Sequence, residues 1–273
     1  MTDARAGFAA DTSARHAASG LFIAGTDTGV GKTLVAVSIV RALAERGVAV
    51  AAMKPVAAGA SMTPQGLRND DALALAAAAS VAAPYERINP YCLRAPLSPH
   101  IAAAEEGIAI DVRTIRQRFE ELARGADCVI VEGAGGWLAP IGARETLADV
   151  ARALELPVVL VVGLRLGCLN HALLSARAIA ADGLELAGWI GNGIDAEFER
   201  RAENLLTLEQ RLGCAPLALL PPLGRATERT ALQAQGLPAA SRRGESALEA
   251  GIALPAQAVE ALMALSLRGA SGR

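Results

Sequence analysis

Five short segments of the chain are apolar on both faces instead of alternating between apolar and polar residues. They comprise Leu21–Ala24, Val48–Met53, Cys128–Val131, Val158–Val162 and Leu186–Ile190. A strand of this kind has to be covered on both sides, and parallel sheets flanked by helices provide that cover. The sequence therefore predicts an α/β fold with a doubly wound, mostly parallel sheet and helices on both faces.

Longer segments with helical patterns separate these predicted strands. They comprise Lys32–Arg46, Asp71–Ser80, Val112–Arg124, Thr146–Leu154, Leu169–Ala181 and Glu197–Leu212, with a closing helix at Ala256–Leu267. In such folds, ligands bind beyond the carboxyl ends of the strands, so the residues that follow the strands should meet at one edge. We predict one domain over residues 20–273, with an extended C-terminal region from about 225, after a disordered leader at 1–19.

Charge and apolar content argue against several classes of partner. The 273 residues include 26 Lys and Arg against 28 Asp and Glu, so the net charge of −2 provides no field that attracts nucleic acid or anionic lipid. No apolar run approaches the roughly 20 residues of a membrane-spanning helix. The cysteines Cys92, Cys128, Cys168 and Cys214 lack metal-site spacing and are expected to be buried and reduced. We expect a cytoplasmic protein without nucleic-acid or membrane partners.

A glycine-rich turn, GTDTGVGKT, follows the first predicted strand at residues 25–33. A strand, such a turn, and Gly31-Lys32-Thr33 at the start of a helix form the setting of a P-loop. Backbone N–H groups of the turn bind phosphates, the lysine neutralises their charge, and the threonine hydroxyl reaches magnesium. Gly25 is one residue further from Gly31 than in the common motif, so that Thr26 takes the place of the first glycine. We predict a nucleoside triphosphate with Mg²⁺ as ligand, and a fold of the P-loop NTPase type.

Two charged residues at strand ends accompany this turn. Lys54 ends the second predicted strand and precedes Pro55, which keeps the chain extended. Glu132 ends the third, and a buried carboxylate there needs a partner. Magnesium beside the P-loop would be such a partner, and a salt bridge to an arginine is the alternative. For Lys54 the alternative is an ordinary solvated lysine.

Two predicted helices begin with residues that can bind ligands. Before the second helix, one side chain of the segment 68–71 is expected to be the N-cap, which leaves a carboxylate for a metal. The pattern does not choose between Asp70 and Asp71. The segment Gly167–Asn170 begins a later helix, whose free N–H groups form a second anion site that suits a substrate carboxylate. The neighbouring His171 is equally compatible with packing or capping.

Taken together, these motifs resemble the dethiobiotin synthetase family. The resemblance rests on GTDTGVGKT at 25–33, KPVA at 54–57, GLRN at 66–69, DALAL at 71–75, NPY at 89–91, SPH at 98–100, VEGAGGW at 131–137, VVG at 161–163, LGC at 166–168 and NHA at 170–172. It covers about residues 20–225, and the family shares the longer glycine spacing. It implies an ATP-dependent ligase that carboxylates 7,8-diaminononanoate with CO2 and closes a cyclic urea through a phosphorylated carbamate.

The resemblance also implies roles for individual residues. Lys54, Lys32 and Thr28 would be catalytic, and Thr33, Asp71 and Glu132 would hold Mg²⁺, which leaves Asp70 as the N-cap. ATP would be bound by Gly29, Val30, Gly31, Lys32, Thr33, Leu34, Asp71, Glu132, Gly133, Gly135, Asn192, Pro221, Pro222, Leu223 and Glu228. The substrate would meet Lys54, Ala58, Gly167, Cys168, Leu169 and Asn170. Ala58 stands where the family often has a serine. The segment 167–170 would come from the neighbouring subunit of a homodimer.

A regulatory switch ATPase of the partitioning or membrane-positioning type is the alternative, because it shares this fold. Such proteins resemble one another in a second lysine five residues before the P-loop lysine, where this chain has Asp27. The predicted closing helix contains Glu260 and no Lys or Arg, unlike a basic membrane-binding helix. Both features favour the ligase.

Overall fold

A computed structural model describes residues 19–222 and 252–268 of the chain. The central sheet has six strands, all parallel, in the order β10-β9-β8-β1-β7-β2. These strands are β1 (Gly20–Gly25), β2 (Val50–Met53), β7 (Cys128–Glu132), β8 (Val158–Leu164), β9 (Leu186–Gly193) and β10 (Ala218–Leu220). Two small sheets accompany it, formed by β3 (Val56–Ala57) with β6 (Tyr91–Cys92) and by β4 (Ser61–Thr63) with β5 (Gly66–Arg68).

Nine helices lie within the described residues. They are α1 (Lys32–Ala44), α2 (Asp70–Ala78), α3 (Tyr85–Ile88), α4 (Pro99–Glu105), α5 (Val112–Ala123), α6 (Leu147–Leu154), α7 (Cys168–Ala181), α8 (Arg201–Leu212) and α9 (Ala256–Ser266). The predicted α/β class and parallel sheet are confirmed. No helix of the described part is long and apolar enough to cross a membrane.

The sheet is apolar on both faces because each face has its own core. Along β1, Leu21 and Ile23 pack with α1, α2 and α9, whereas Phe22 and Ala24 face α4 to α8. Full burial of such a large apolar side chain contributes about 1.5 to 3 kcal/mol. The alternation of neighbouring residues between two covered faces explains why these strands contain no polar side chains before their ends.

The structure corrects several details of the prediction. The edge strand β10 and the short helices α3 and α4 were not predicted, since three to seven residues carry too little periodicity. Helix α8 begins at Arg201, four residues later than predicted at Glu197. The cysteines are free as predicted, but the expectation of burial is wrong for Cys214, which is exposed, and for half-buried Cys92. The predicted leader falls almost wholly outside the described residues, as do positions 225–251 of the C-terminal region.

The strand order places a switch point beside β1. Strands β7 and β2 lie on one side of it, and β8, β9 and β10 lie on the other. Glu132 is in register with Ile23 of β1, and Asn192 with Gly163 of β8. The P-loop and the ends of the neighbouring strands therefore meet at the carboxyl edge, where ligands bind in such sheets.

Gly31 shows how tightly this edge is packed. It has a φ of 86°, and a Cβ built there would lie 2.1 Å from Nδ2 of Asn192. That nitrogen is fixed, because it donates to the carbonyl oxygen of Val30 at 2.9 Å. The glycine is therefore required both by its left-handed backbone and by the side chain of β9.

We predict that Gly31→Ala lowers the free energy of unfolding by about 2 to 4 kcal/mol, since backbone strain and overlap with Asn192 add. Gly47→Ala is the matched control, because Gly47 has a φ of 80° but nothing within 4 Å of a built Cβ. It should cost only the strain, about 1 to 2 kcal/mol. Urea denaturation of both nucleotide-free variants measures the difference, and equal losses would contradict the role of the overlap.

Candidate active site

The glycine-rich turn between β1 and α1 folds back over its own lysine. Gly29 and Gly31 are left-handed, a conformation that glycine adopts without steric cost. Gly25 has to be small, because a Cβ there would lie 2.8 Å from Cδ of Lys32. The Nζ atom of Lys32 donates to the carbonyl oxygen of Asp27 at 2.9 Å. The loop thus holds an ammonium group beside the start of α1.

A buried ion cluster adjoins the P-loop at the ends of β2 and β7. The Nζ atom of Lys54 donates to Oε1 of Glu132 at 2.5 Å and to Oδ2 of Asp71 at 2.9 Å. The same Glu132 oxygen accepts a hydrogen bond from the hydroxyl of Thr33 at 2.8 Å. Lys54 is only 4% exposed, so the interpretation as a solvated lysine is wrong. The partner of Glu132 is a lysine and not the arginine considered as an alternative.

The cluster offers oxygen ligands of the kind that Mg²⁺ prefers. Glu132 is fully buried, and its second oxygen, Oε2, has no hydrogen-bond partner. An unsatisfied buried carboxylate oxygen is costly, so this atom suits a cation that arrives with a ligand. Within residues 19–222 and 252–268, no group of three or more His, Cys, Asp and Glu could hold a metal. Two carboxylates and the Thr33 hydroxyl fit Mg²⁺ if phosphates and water supply the remaining ligands.

Burial and mutual charge set the ionisation of the cluster. Burial lowers the pKa of Lys32 from 10.5 to about 8, and the charge of Lys54 acts in the same direction. Burial also acts to lower the pKa of Lys54, but Glu132 and Asp71 outweigh it and the pKa is raised. The pKa of Asp71 is lowered, because Lys54 outweighs the effect of burial. Burial raises the pKa of Glu132 against the pull of Lys54. The two carboxylates therefore favour the charged form of Lys54, whereas burial disfavours that of Lys32.

The start of α2 brings Asp71 into the cluster, but its N-cap is not the predicted Asp70. The N-cap is Asn69, whose side chain accepts from the backbone N–H of Ala72 at 3.3 Å. The assignment of Asp70 as the cap is therefore wrong. Asp71 points to the cluster and contacts Lys54, which is consistent with its predicted place among the metal ligands. Asparagine caps helices as well as aspartate does, so both acids remain free of that task.

A cavity of about 800 Å³ lies over the P-loop and the cluster. Half of the predicted site residues line it, namely Thr28, Gly29, Gly31, Lys32, Thr33, Leu34, Lys54, Ala58, Asp71, Glu132 and Gly135. Residues without a predicted role also line it, namely Ala57, Asn69, Pro96, Leu97, Ser98, Pro99, Ala134, Gly136, Ala139 and Pro140. Several of these residues belong to the SPH and VEGAGGW motifs. Membership of those motifs is the sequence signal that could have identified them as site residues.

The residues predicted to bind the adenine group lie around Asn192, which contacts the P-loop at Val30. Asn192 contacts the carbonyl oxygen of Val30, and its own Oδ1 is buried without a hydrogen-bond partner. Pro221 and Pro222 pack against Gly193, where a Cβ would lie 2.6 Å from the backbone nitrogen of Pro222. These residues and Gly133 do not line the cavity. Leu223 and Glu228 lie outside the described residues.

The start of α7 also lies apart from the cavity lining. Gly167 is its left-handed N-cap, and Cys168 is buried, while Leu169 and Asn170 follow in the first turn. The preceding Arg165 pairs with Oδ2 of Asp27 in the P-loop at 2.8 Å. Within one chain, this segment therefore approaches the nucleotide loop but not the cavity.

The low lysine content of the chain is a sequence signal for the site. Of the 26 basic residues, 24 are arginine and only two are lysine, namely Lys32 and Lys54. Both lie in this site and are less than 10% exposed. Lysine differs from arginine in being compact and in shifting its pKa on burial. A chain that uses arginine everywhere else marks these two positions as chemically distinct.

Comparisons with known proteins identify the family of the chain. A family model described as an AAA domain matches residues 19–230. The ATP-dependent dethiobiotin synthetase of Xanthomonas oryzae pv. oryzae is 50% identical over 216 residues, which cover 79% of this chain and 96% of that protein. The enzyme of the same name from Pseudomonas aeruginosa is 50% identical over 207 residues, which cover 76% and 91%.

Solved structures show the same fold at low sequence identity. A ParA family ATPase from Chlorobium tepidum covers 94% of this chain and 100% of its own, with a TM-score of 0.51 and 14% identity. The cell division protein MinD from Aquifex aeolicus covers 90% and 97%, with a TM-score of 0.52 and 16% identity. These matches show the P-loop NTPase fold alone, and the regulatory switch ATPase is not favoured. Because half of the aligned residues match across more than nine-tenths of the two relatives' length, the chain belongs to the dethiobiotin synthetase family.

Proposed function

We propose that the protein is a ligase that converts 7,8-diaminononanoate, CO2 and ATP into dethiobiotin, ADP and phosphate. The observation that carries this proposal is the buried cluster of Lys54, Asp71, Glu132 and Thr33 beside the P-loop. It combines a fixed cation with oxygen ligands around a cavity that a small substrate and phosphates can enter. The relatives are ATP-dependent dethiobiotin synthetases, which supports the choice of ATP and of the product.

Three bond-forming steps account for the reaction. One amine of the substrate attacks CO2 and loses a proton, which gives a carbamate. A carbamate oxygen then attacks the γ-phosphorus of ATP, and ADP leaves. The second amine attacks the carbonyl carbon, phosphate leaves, and the cyclic urea is closed with loss of a proton. Because the substrate supplies both nucleophiles, the protein contributes positioning and charge stabilisation.

Each of the two lysines would stabilise a different part of the negative charge of the reactants. Lys32 lies over the phosphate-binding loop, and exchange of the Asp27 carbonyl for a phosphate oxygen would leave its ammonium satisfied. Lys54 faces the cavity from the end of β2 and would steady the carbamate and the transferred phosphoryl group. Thr28 lines the same cavity and would assist from the loop.

Thr33, Asp71 and Glu132 would hold Mg²⁺, which neutralises phosphate charge when it is bound. The fit rests on the unpartnered Oε2 of Glu132 and on the oxygen atoms of the other two side chains. The ammonium of Lys54 contacts both carboxylates and holds them close to each other.

Asn192, Pro221 and Pro222 would form the adenine end of the ATP site. The free Oδ1 of Asn192 can accept from the amino group of adenine, while Nδ2 stays bound to Val30. Leu223 and Glu228 stay predictions for the same end. Ala58 lines the cavity without a hydroxyl, so the contact that a serine makes in the family has no equivalent on this side chain.

We further propose a homodimer in which the start of α7 reaches the substrate of the neighbouring subunit. The residues 167–170 do not line the cavity of their own chain, which supports a role across an interface. Leu166 is 88% exposed and Leu174 is 57% exposed on the same part of the chain. Apolar side chains exposed to this extent suit contact with a second copy. A cytoplasmic location stays a prediction.

The proposed reaction is tested with the purified protein, ATP, Mg²⁺ and bicarbonate. Addition of diaminononanoate should stimulate ADP release and yield dethiobiotin that mass spectrometry detects. A reaction without diaminononanoate is the control for background ATP hydrolysis. Absence of dethiobiotin would refute the proposal, and stimulation of ADP release by DNA or lipid would support a switch ATPase instead.

We predict that Lys54→Ala lowers product formation by roughly a hundredfold or more, because a preorganised charge on the reacting groups is lost. ATP binding should change only a few-fold, since Lys32 and the loop remain. Lys54→Met is the matched control for packing, because it keeps the length and apolar stem of the side chain. Equal loss in both variants assigns the effect to the charge, whereas unchanged turnover would exclude Lys54 from the chemistry.

We also predict that ATP binds more weakly as the pH rises above the pKa of Lys32 at about 8. Above that pH the free enzyme has a neutral Lys32, which must take up a proton before it can pair with phosphate. The dissociation constant should rise about tenfold per pH unit until the pKa of the complex is reached. Calorimetry in two buffers of different ionisation enthalpy would measure the proton uptake.

Lys32→Arg is the control for this pH dependence, because arginine keeps its charge throughout the range. The variant should bind ATP more weakly than the native protein but with little change between pH 8 and about 9.5. The same slope in both proteins would mean that another group titrates.

A further inference from the structure

The segment 85–89, formed by α3 and Asn89, holds the backbone of Lys54 from both sides. The N–H of Lys54 donates to the carbonyl oxygen of Ile88 at 2.8 Å. The carbonyl oxygen of Lys54 accepts from Nδ2 of Asn89 at 2.7 Å. Asn89 is 2% exposed, so water does not replace it in this contact. The position of Lys54 therefore depends on two consecutive residues that lie outside the cavity lining.

The same segment holds the start of α2 through Tyr85. The hydroxyl of Tyr85 accepts from the backbone N–H of Asn69 at 2.8 Å. Asn69 is the N-cap of α2, and Asp71 lies two residues further in the first turn. The direction in which the Asp71 carboxylate points is therefore set by a turn that Tyr85 anchors.

A hydrogen bond between Tyr85 and Asn89 links the contact with Lys54 to the contact with the start of α2. The Tyr85 hydroxyl donates its one proton to Oδ1 of Asn89 at 3.0 Å. Burial raises the pKa of Tyr85, so the proton stays in place. The guanidinium of Arg68 lies 4.1 Å from the centre of the ring and fixes its face. The chain of contacts runs without interruption from Asn69 through Tyr85 and Asn89 to Lys54.

We propose that Tyr85, acting through Asn69 and Asn89, is a positioning residue that sets the distance between the Lys54 ammonium and the Asp71 carboxylate. Tyr85 does not line the cavity, so it acts on the reaction only through these neighbours. Loss of its hydroxyl leaves the N–H of Asn69 and Oδ1 of Asn89 without this partner. The start of α2 and the backbone of Lys54 can then move apart. The inference rests on the proposed function, in which Lys54 and Asp71 serve the chemistry.

Tyr91, the other of the two tyrosines in the chain, provides a matched control. Its hydroxyl accepts from the backbone N–H of Asp111 at 2.9 Å. Asp111 is the N-cap of α5, which carries none of the proposed site residues. Tyr91→Phe therefore removes an equivalent hydroxyl from an equivalent helix start, but not from the path to Lys54.

The first test compares the kinetics of Tyr85→Phe and Tyr91→Phe. Tyr85→Phe should lower kcat on the order of tenfold with little change of KM for ATP, since a small misplacement of a charged group slows the reaction more than it weakens nucleotide binding. Tyr91→Phe should keep kcat within about twofold, although both variants lose a few degrees of Tm. Equal values of kcat for the two variants would overturn the inference.

The second test needs no turnover and uses the fact that the chain has two lysines. After labelling with ¹⁵N-lysine, the full chain gives two side-chain signals, and Lys54→Met identifies the one from Lys54. In the nucleotide-free protein, Tyr85→Phe should shift or broaden the Lys54 signal and leave that of Lys32 in place, whereas Tyr91→Phe should change neither. An unchanged Lys54 signal in Tyr85→Phe would overturn the inference.

These results separate the inference from the proposed function. A native protein that forms no dethiobiotin would refute the function, while the lysine signals still report the geometry. If Tyr85→Phe does not fold, Asn89→Asp replaces it, because a carboxylate still accepts from Tyr85 but no longer donates to the Lys54 carbonyl. A folded Asn89→Asp with a native Lys54 signal and native kcat would equally overturn the inference.

Discussion

The contact of Glu132 with Lys54 and Thr33 is the interaction on which the site depends. Glu132 is fully buried at the end of β7, where an ionised carboxylate without partners would be several kcal/mol too costly. Its partners come from β2 and α1, so three separate elements have to be in place before the charge is stabilised. The parallel sheet meets this condition, because β7 lies between β1 and β2 and brings their ends to the same edge.

The use of lysine instead of arginine follows from the same constraint. A planar guanidinium holds its five donors in a rigid fork, whereas the compact ammonium of Lys54 places a single nitrogen within hydrogen-bond distance of both carboxylates. An ammonium fits between Glu132 and Asp71 and leaves Oε2 of Glu132 without a partner. At Lys32, only a lysine can have its pKa brought near 8 by burial and by a neighbouring cation. The abundance of arginine elsewhere shows that the chain has no general preference for lysine.

The sequence predicts the sheet and the cluster well because both obey local rules. Double-faced apolar segments identify five of the six central strands, and the charged residues that end them identify Lys54 and Glu132. The prediction of Asp70 as the N-cap of α2 was wrong because aspartate and asparagine cap equally well. The sequence also does not show that the backbone N–H of Asn69 is held by Tyr85, 16 residues away. Strand β10 was missed because three residues show no period, and the cavity wall at 96–99 was missed because its residues have no charge.

The sequence therefore does not reveal the long-range hydrogen bonds of single polar side chains. Asn89 lies in the NPY motif, yet nothing in that motif indicates that its amide supports the backbone of Lys54, 35 residues earlier. Such a bond contributes about 1 kcal/mol to stability, which is too little to shape the fold. Its main effect is on the position of the Lys54 side chain. An ammonium shared by two carboxylates can shift toward either one unless its backbone is fixed. The fold therefore brings the charges together, and buried amides and hydroxyls determine where those charges lie.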